Sequence, residues 1–280
     1  MLLPAATLEK PGTIDFEERG DGLTVVLVPG SCSTGAAWRP VISRWHGNFR
    51  CVTTSLLGYG GTAERRTALD TDISDESEIL ESVIRRAGCP VHLVGHSFGG
   101  LVALDVALRK RVPLLSLTII EAPAARLLHH MGEEQHYQAF RTMTTAYFEA
   151  FYRGDTAAIE TMIDFYGGAG TFEAWPARVR EYAMDTTQVN IRDWANVYRF
   201  ELTPALLAEI DVPALVVFGG KSHPAVQRAN QLLGQCIRKA GVVVLADAAH
   251  FMISTHPAET ARIIAPHILH SEHPGRCAVA

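Results

Sequence analysis

Short, continuously apolar runs alternate with longer stretches of helical periodicity, and this alternation constrains the fold more than any other feature of the sequence. Leu23 to Val28, Arg50 to Thr54, Val91 to Gly95, Leu114 to Ile120, Ala214 to Phe218 and Val242 to Leu245 read as strands. Between them, Trp38 to Trp45, Ser74 to Arg86, Phe98 to Lys110, Pro224 to Leu233 and Pro257 to Leu269 read as helices. Strands that are apolar on both faces need helices on both sides, which is the situation of parallel strands joined by crossover helices. The expected fold class is therefore α/β, with a doubly wound, mostly parallel sheet. Ile14 to Arg19, ahead of Gly20-Asp21-Gly22, reads as an antiparallel edge strand that enters by a hairpin.

The rhythm breaks between about Pro123 and Pro204, where helical patterns rich in aromatics replace strands. Tyr137, Phe140, Thr144, Tyr147, Phe148, Phe151 and Tyr152 fall largely on one helix face. Asp155 reads as the N-cap of a second helix ending at Gly167-Gly168, and Phe172 to Met184 and Asn190 to Phe200 supply two more. The division expected is a core domain of residues 1–122 and 205–280 and a helical cap of residues 123–204. The cap aromatics serve either as the insertion's own core or as pocket lining. A face of this kind is also one that a homodimer would bury.

Composition narrows the function classes. Over 280 residues, 48% hydrophobic content against 20% charged is ample for a core. Lys plus Arg number 25 against 30 acidic residues, with no basic cluster to track phosphates, so nucleic acid is not an expected partner. The apolar run Val112 to Ile120 is broken by Pro113 and Ser116 and is too short for a membrane span. Met1 to Ala6 lacks the basic and apolar regions of an export signal, which makes the cytoplasm the expected compartment. Cys32, Cys51, Cys89, Cys236 and Cys277 form an odd set without C-x-x-C spacing and read as free thiols.

Chemistry enters at Gly95-His96-Ser97-Phe98-Gly99-Gly100, directly after one predicted strand and directly before a predicted helix. Small residues on either side of Ser97 allow a turn sharp enough to hold its hydroxyl strained and exposed, as a nucleophile elbow requires. A serine at its ordinary pKa needs a base within hydrogen-bond reach. Of the 12 histidines, His250 is best placed, because it follows the last predicted strand in a loop that can reach back over Ser97. His256, His267, His270 and His273 lie on or near the final helix; His129, His130 and His223 hold weaker loop positions; His96 should point away from Ser97. No H-E-x-x-H pair suggests a metal.

Taken together, the strand-to-turn Val28-Pro29-Gly30-Ser31, the elbow at Ser97 and the late His250 resemble the α/β-hydrolase fold family from Ile14 to Leu269. Ser55 to Thr62 resembles the family's glycine-rich loop; a dinucleotide fingerprint on Gly58, Gly60 and Ala63 fails because Glu64-Arg65-Arg66 follows without a helix. The resemblance puts the cap between the sixth and seventh strands and implies oxyanion donors at the backbone N–H groups of Phe98 and Ser31, with Cys32 as the alternative. It also exposes a departure. Relatives commonly carry an Asp past the seventh strand, whereas this chain reads Phe218-Gly219-Gly220-Lys221-Ser222-His223, with Ser222 in that slot. Glu121, after the preceding strand, is the expected acid, Asp247 on the histidine's own loop is the runner-up, and an ion pair of Glu121 with Lys221 or Arg126 is the structural alternative.

The resemblance implies a serine hydrolase that cleaves a small or medium apolar ester, thioester or lactone through an acyl-enzyme, without cofactor. Trp38, Phe140, Tyr147, Phe151, Trp175 and Phe251 are the expected substrate-binding side chains. A C–C bond hydrolase, a cofactor-independent dioxygenase and a small-molecule receptor with little turnover use the same fold and stay open.

Overall fold

The computed structural model describes residues 13–45, 49–67 and 72–271. Cys277, His273 and Met1 to Ala6 lie outside the described residues. Seven strands form one sheet: β1 Glu17–Arg19, β2 Leu23–Val28, β3 Phe49–Thr53, β4 Val91–His96, β5 Leu114–Ile120, β6 Ala214–Gly219 and β7 Ala240–Leu245. Their order is β1-β3-β2-β4-β5-β6-β7, and every pairing is parallel except β1 with β3.

The strands' two apolar faces pack into two separate layers. Val26 and Val28 of β2, Leu93 of β4 and Val216 of β6 join one buried cluster; Val25, Leu27, Val94 and Val217 join the other. This is the period of two along a strand, with both faces covered. A 3-10 turn at Gly35–Trp38 leads into α1 Arg39–Ile42, which covers the second face together with the last helix, α13 Pro257–Ser271. On the first face lie α2 Ile73–Ala87 and α3 Phe98–Arg109. α2 forms because Leu80, Val83, Ile84 and Ala87 recur at helical spacing and are buried, and because the Asp72 carboxylate accepts the Ser74 N–H at 2.8 Å.

From β5 to β6 the chain is helical: α4 Ala125–His130, α5 Glu134–Tyr152, α6 Ile159–Gly167, α7 Thr171–Ala174, α8 Ala177–Asp185, α9 Thr187–Arg199 and α10 Pro204–Leu207. The helical stretch thus lies between the fifth and sixth strands among the described residues, where the sequence reading puts segment 123–204, and not between a sixth and a seventh as the resemblance numbers it. Two helix boundaries also differ. Asp155 does not cap α6; its carboxylate accepts the Ala157 N–H at 2.9 Å in the turn before it. Phe172 to Met184 is two helices, since Pro176 has no N–H to continue the first and instead sits just before the first turn of the second. After β6 come α11 Pro224–Cys236, β7, α12 Met252–Thr255 and α13. Among the described residues no helix is long and apolar enough to cross a membrane.

Candidate active site

β2 is flanked by β3 on one side and β4 on the other, so the crossovers leave it in opposite directions and a crevice opens at the strands' C-terminal ends. The segments around that crevice carry the predicted chemistry. Ser31 follows β2, Ser97 follows β4, Glu121 follows β5, Ser222 follows β6 and His250 follows β7.

Ser97 has φ 53° and ψ −127° between β4 and α3. The bend depends on its glycines. A Cβ on Gly95 would fall 2.4 Å from the Gly99 carbonyl oxygen, and one on Gly99 would fall 2.2 Å from that of Pro29. The Ser97 N–H donates to the Ile120 carbonyl at 2.8 Å, which ties the elbow to the end of β5.

Ser97 Oγ lies 3.0 Å from His250 Nε2, and His250 Nδ1 lies 2.7 Å from Glu121 Oε2. An ionised carboxylate only accepts, so Nδ1 carries the proton and the Nε2 lone pair faces the serine hydroxyl. Glu121 is fully buried, and its other oxygen accepts the Gly219 N–H at 2.6 Å and the Ser222 hydroxyl. Ser222, in the slot where relatives commonly carry an Asp, therefore serves the glutamate. Asp247 instead points outward, 3.4 Å from the exposed Lys221, and Arg126 pairs with Glu201.

The His250 ring is held on several sides. Its centroid is 4.1 Å from that of Tyr166 and 5.1 Å from that of Phe251. His96 does not simply turn away: its ring lies 4.8 Å from that of His250, and its Nε2 donates to the His250 carbonyl at 2.9 Å. Burial, and then the neighbouring His250, push the His96 imidazole down to about 3, so it stays neutral and keeps this donor. The other histidines serve elsewhere. His130 faces Glu201, His223 Nδ1 accepts the Ala225 N–H, and His256 meets Thr255.

Ser97 and His250 open onto a cavity of about 340 Å³, also lined by Ser31 and Phe98. Phe98 begins α3, so its N–H has no intrahelical carbonyl. Burial pushes the Cys32 thiol up to about 12, which leaves it an un-ionised, poor nucleophile.

Trp175 and Phe251 line the cavity as expected, but Trp38, Phe140, Tyr147 and Phe151 do not. Trp38 is fully buried in the layer on the far face of the sheet, with Val25 and Leu27. Phe140 and Tyr147 are fully buried in the layer that is continuous with the sheet's first face, where Phe140 meets Phe165 and Trp194. Phe151 is half-buried against the same core and meets Tyr152 edge-on. The apolar wall is made instead by Met162, Ile163, Tyr166, Trp194 and Val197 from α6 and α9. Among the described residues its one acidic member is Asp193.

The model of the alpha/beta hydrolase family matches residues 25–263. The chain belongs to that family. Among curated relatives, the alpha/beta hydrolase is 32% identical over 93 residues to a pimeloyl-[acyl-carrier protein] methyl ester esterase of Aliivibrio salmonicida, a stretch covering 33% of each chain. The matched part thus spans about a third of that esterase. It is 20% identical over 263 residues, 92% of this chain and 94% of the other, to an (E)-2-((N-methylformamido)methylene)succinate hydrolase of Acinetobacter baylyi. Among solved structures, the enol-lactonase from Burkholderia xenovorans shares the fold with a TM-score of 0.73 at 17% identity, covering 91% of this chain and 96% of that one.

Proposed function

We propose that this alpha/beta hydrolase is a serine hydrolase that cleaves a small or medium apolar ester, thioester or lactone through an acyl-enzyme on Ser97. The observation that carries the reading is the continuous relay from Ser97 Oγ through His250 to Glu121, at 3.0 and 2.7 Å, on the wall of a largely apolar cavity. The names of the esterase and the lactonase it resembles support ester-bond cleavage.

In the acylation step Ser97 Oγ adds to the substrate carbonyl carbon while His250 Nε2 takes the hydroxyl proton. The carbonyl π electrons move onto oxygen, and the N–H groups of Ser31 and Phe98 receive that oxyanion, each worth about 2.7 to 4 kcal/mol of transition-state stabilisation. Glu121 stabilises the imidazolium and holds its tautomer. The C–O or C–S bond breaks as the tetrahedral adduct collapses, and His250 returns the proton to the leaving group. Water then repeats the sequence: His250 takes its proton, its oxygen adds to the acyl carbon, and Ser97 leaves reprotonated. The helical residues 123–204 act as a cap that shapes the acyl and leaving-group sites over a core of residues 1–122 and 205–280.

The test is turnover of p-nitrophenyl acetate together with labelling by a fluorophosphonate. Both are expected in the wild type, with an initial burst of product, and both vanish in Ser97→Ala. Retained turnover in Ser97→Ala would overturn the acyl-enzyme. It would favour His250 as a base toward a cofactor-free oxygenation substrate, a reading that an acid after β5 also accommodates.

A further inference from the structure

The polar end of the cavity is built around Asp193, a fully buried carboxylate that the relay does not use. It stands on α9 of the helical insertion, yet its partners come from the sheet domain. Asp193 Oδ2 accepts the Ser31 hydroxyl at 2.6 Å and the Tyr59 hydroxyl at 2.7 Å, and Asp193 Oδ1 meets the Arg66 guanidinium at 2.7 Å. Arg66, also buried, is anchored in turn by Glu64 at 2.9 Å, by Glu76 at 3.0 Å and by the Leu57 carbonyl at 3.1 Å. A carboxylate taken out of water in this way needs its paired cation and a full set of donors, and here it has both.

The segment it grips needs a brace. Cys32, next to Ser31, has φ 55°, a left-handed conformation that a non-glycine residue holds only when its surroundings fix it. The Ser31 hydroxyl tethers this turn to α9, beside the Cys32 thiol, which hydrogen-bonds Thr186 at the start of that helix.

We propose that Asp193 is the positioning residue of the oxyanion hole: by holding the Ser31 hydroxyl it sets the direction of the Ser31 N–H, so that the hole is complete only with α9 docked on the sheet domain. The proposal rests on the hydrolase reading above. Asp193 stands outside the relay and acts through Ser31: its carboxylate oxygens are taken by Ser31, Tyr59 and Arg66, and the Arg66 guanidinium opposes the upward push of burial on its pKa.

Ser31→Ala tests this without unfolding the network, since it removes one hydroxyl and keeps the backbone donor. With p-nitrophenyl acetate we expect kcat to fall about tenfold or more with KM within about twofold, because the loss is felt only where charge develops on oxygen. Affinity for an aryl trifluoromethyl ketone, whose carbonyl carbon takes the Ser97 oxygen and whose oxygen becomes the anion in the hole, falls by the same factor. Ser31→Thr, which keeps a hydroxyl, restores both. Asp193→Asn lowers kcat at least as far, and adding Ser31→Ala to it costs nothing more. Wild-type kcat and ketone affinity in Ser31→Ala, a loss confined to KM, or additive effects in the double variant would each overturn the proposal. If Ser97→Ala is inactive while Ser31→Ala behaves as wild type, the positioning role alone fails; if Ser97→Ala turns over, the hydrolase reading fails first.

Discussion

Four non-glycine residues among those described hold a left-handed φ, and three of them, Cys32, Ser97 and Glu121, surround the candidate site. Such a conformation costs on the order of 1–3 kcal/mol each, and it persists where hydrogen bonds over-determine the backbone. Glu121 illustrates the compensation: its N–H donates to the Val217 carbonyl at 3.0 Å while its carboxylate takes donors from Gly219, Ser222 and His250. Glu121→Gln sets an amide NH2 among donors and loses the charge opposite the imidazolium. Steady-state kcat is expected to drop by ~10⁴, as when a triad acid becomes an amide. Asp247→Asn should stay within about twofold of wild type, since an exposed ion pair with Lys221 contributes little. Ser222→Ala should fall between the two, because Gly219 still donates to the same oxygen. An Asp247→Asn enzyme more damaged than Glu121→Gln would reverse the assignment of the acid.

At the scale of elements, the helices between β5 and β6 show what periodicity can and cannot reveal. The aromatics of α5 lie on a buried face except Tyr152, which is 74% exposed, but 3.6-residue spacing does not say what covers that face. Phe140 and Tyr147 turn into the buried layer over the sheet's first face, whereas α6 and α9 present Met162, Tyr166, Trp194 and Val197 to the cavity. Phe140→Ala should therefore cost about 3–5 kcal/mol of stability in denaturant unfolding and leave KM nearly unchanged in the remaining folded protein. Trp175→Ala should do the reverse, raising KM severalfold while the melting temperature moves little, because its ring sits at the cavity beside Phe251. A KM effect of Phe140→Ala larger than that of Trp175→Ala would place α5 at the substrate instead. Pro176, which divides Phe172 to Met184 into α7 and α8, is a local signal present in the sequence; the start of α6 at Ile159 is not, because Asp155 has the chemistry of a cap and uses it one turn earlier.

For the molecule as a whole, the buried His96 couples the site to acid stability. Its folded pKa of about 3 lies below the ordinary 6.5, so between those values the unfolded chain binds a proton that the native state refuses. Stability is thus intact above about 6.5 and declines as the pH falls from there toward 3. His96→Gln, which retains an N–H for the His250 carbonyl, is expected to flatten this decline; chemical denaturation of both proteins at pH 7 and pH 5 measures it. Equal losses in the two would remove His96 as the cause.

The sequence by itself determined the six parallel strands, the elbow and the late histidine, because these follow from local rules: runs apolar on both faces, glycines where backbones must nearly touch, and a loop leaving a strand's C-terminal end. The edge strand β1 is shorter than the sequence reading has it and pairs with β3, so it makes no hairpin with β2. β2 and β5 have the boundaries expected, and Ser97, His250 and Glu121 meet as expected. The tertiary structure alone decided which apolar and polar side chains share a surface. Trp38 reads no differently from Trp175, but packing puts it on the far face of the sheet. Asp193 and Ser31 lie 162 positions apart, and Arg66 and Asp193 127, so no spacing rule links them. Their association exists because burying one charge requires finding its partners wherever the fold brings them.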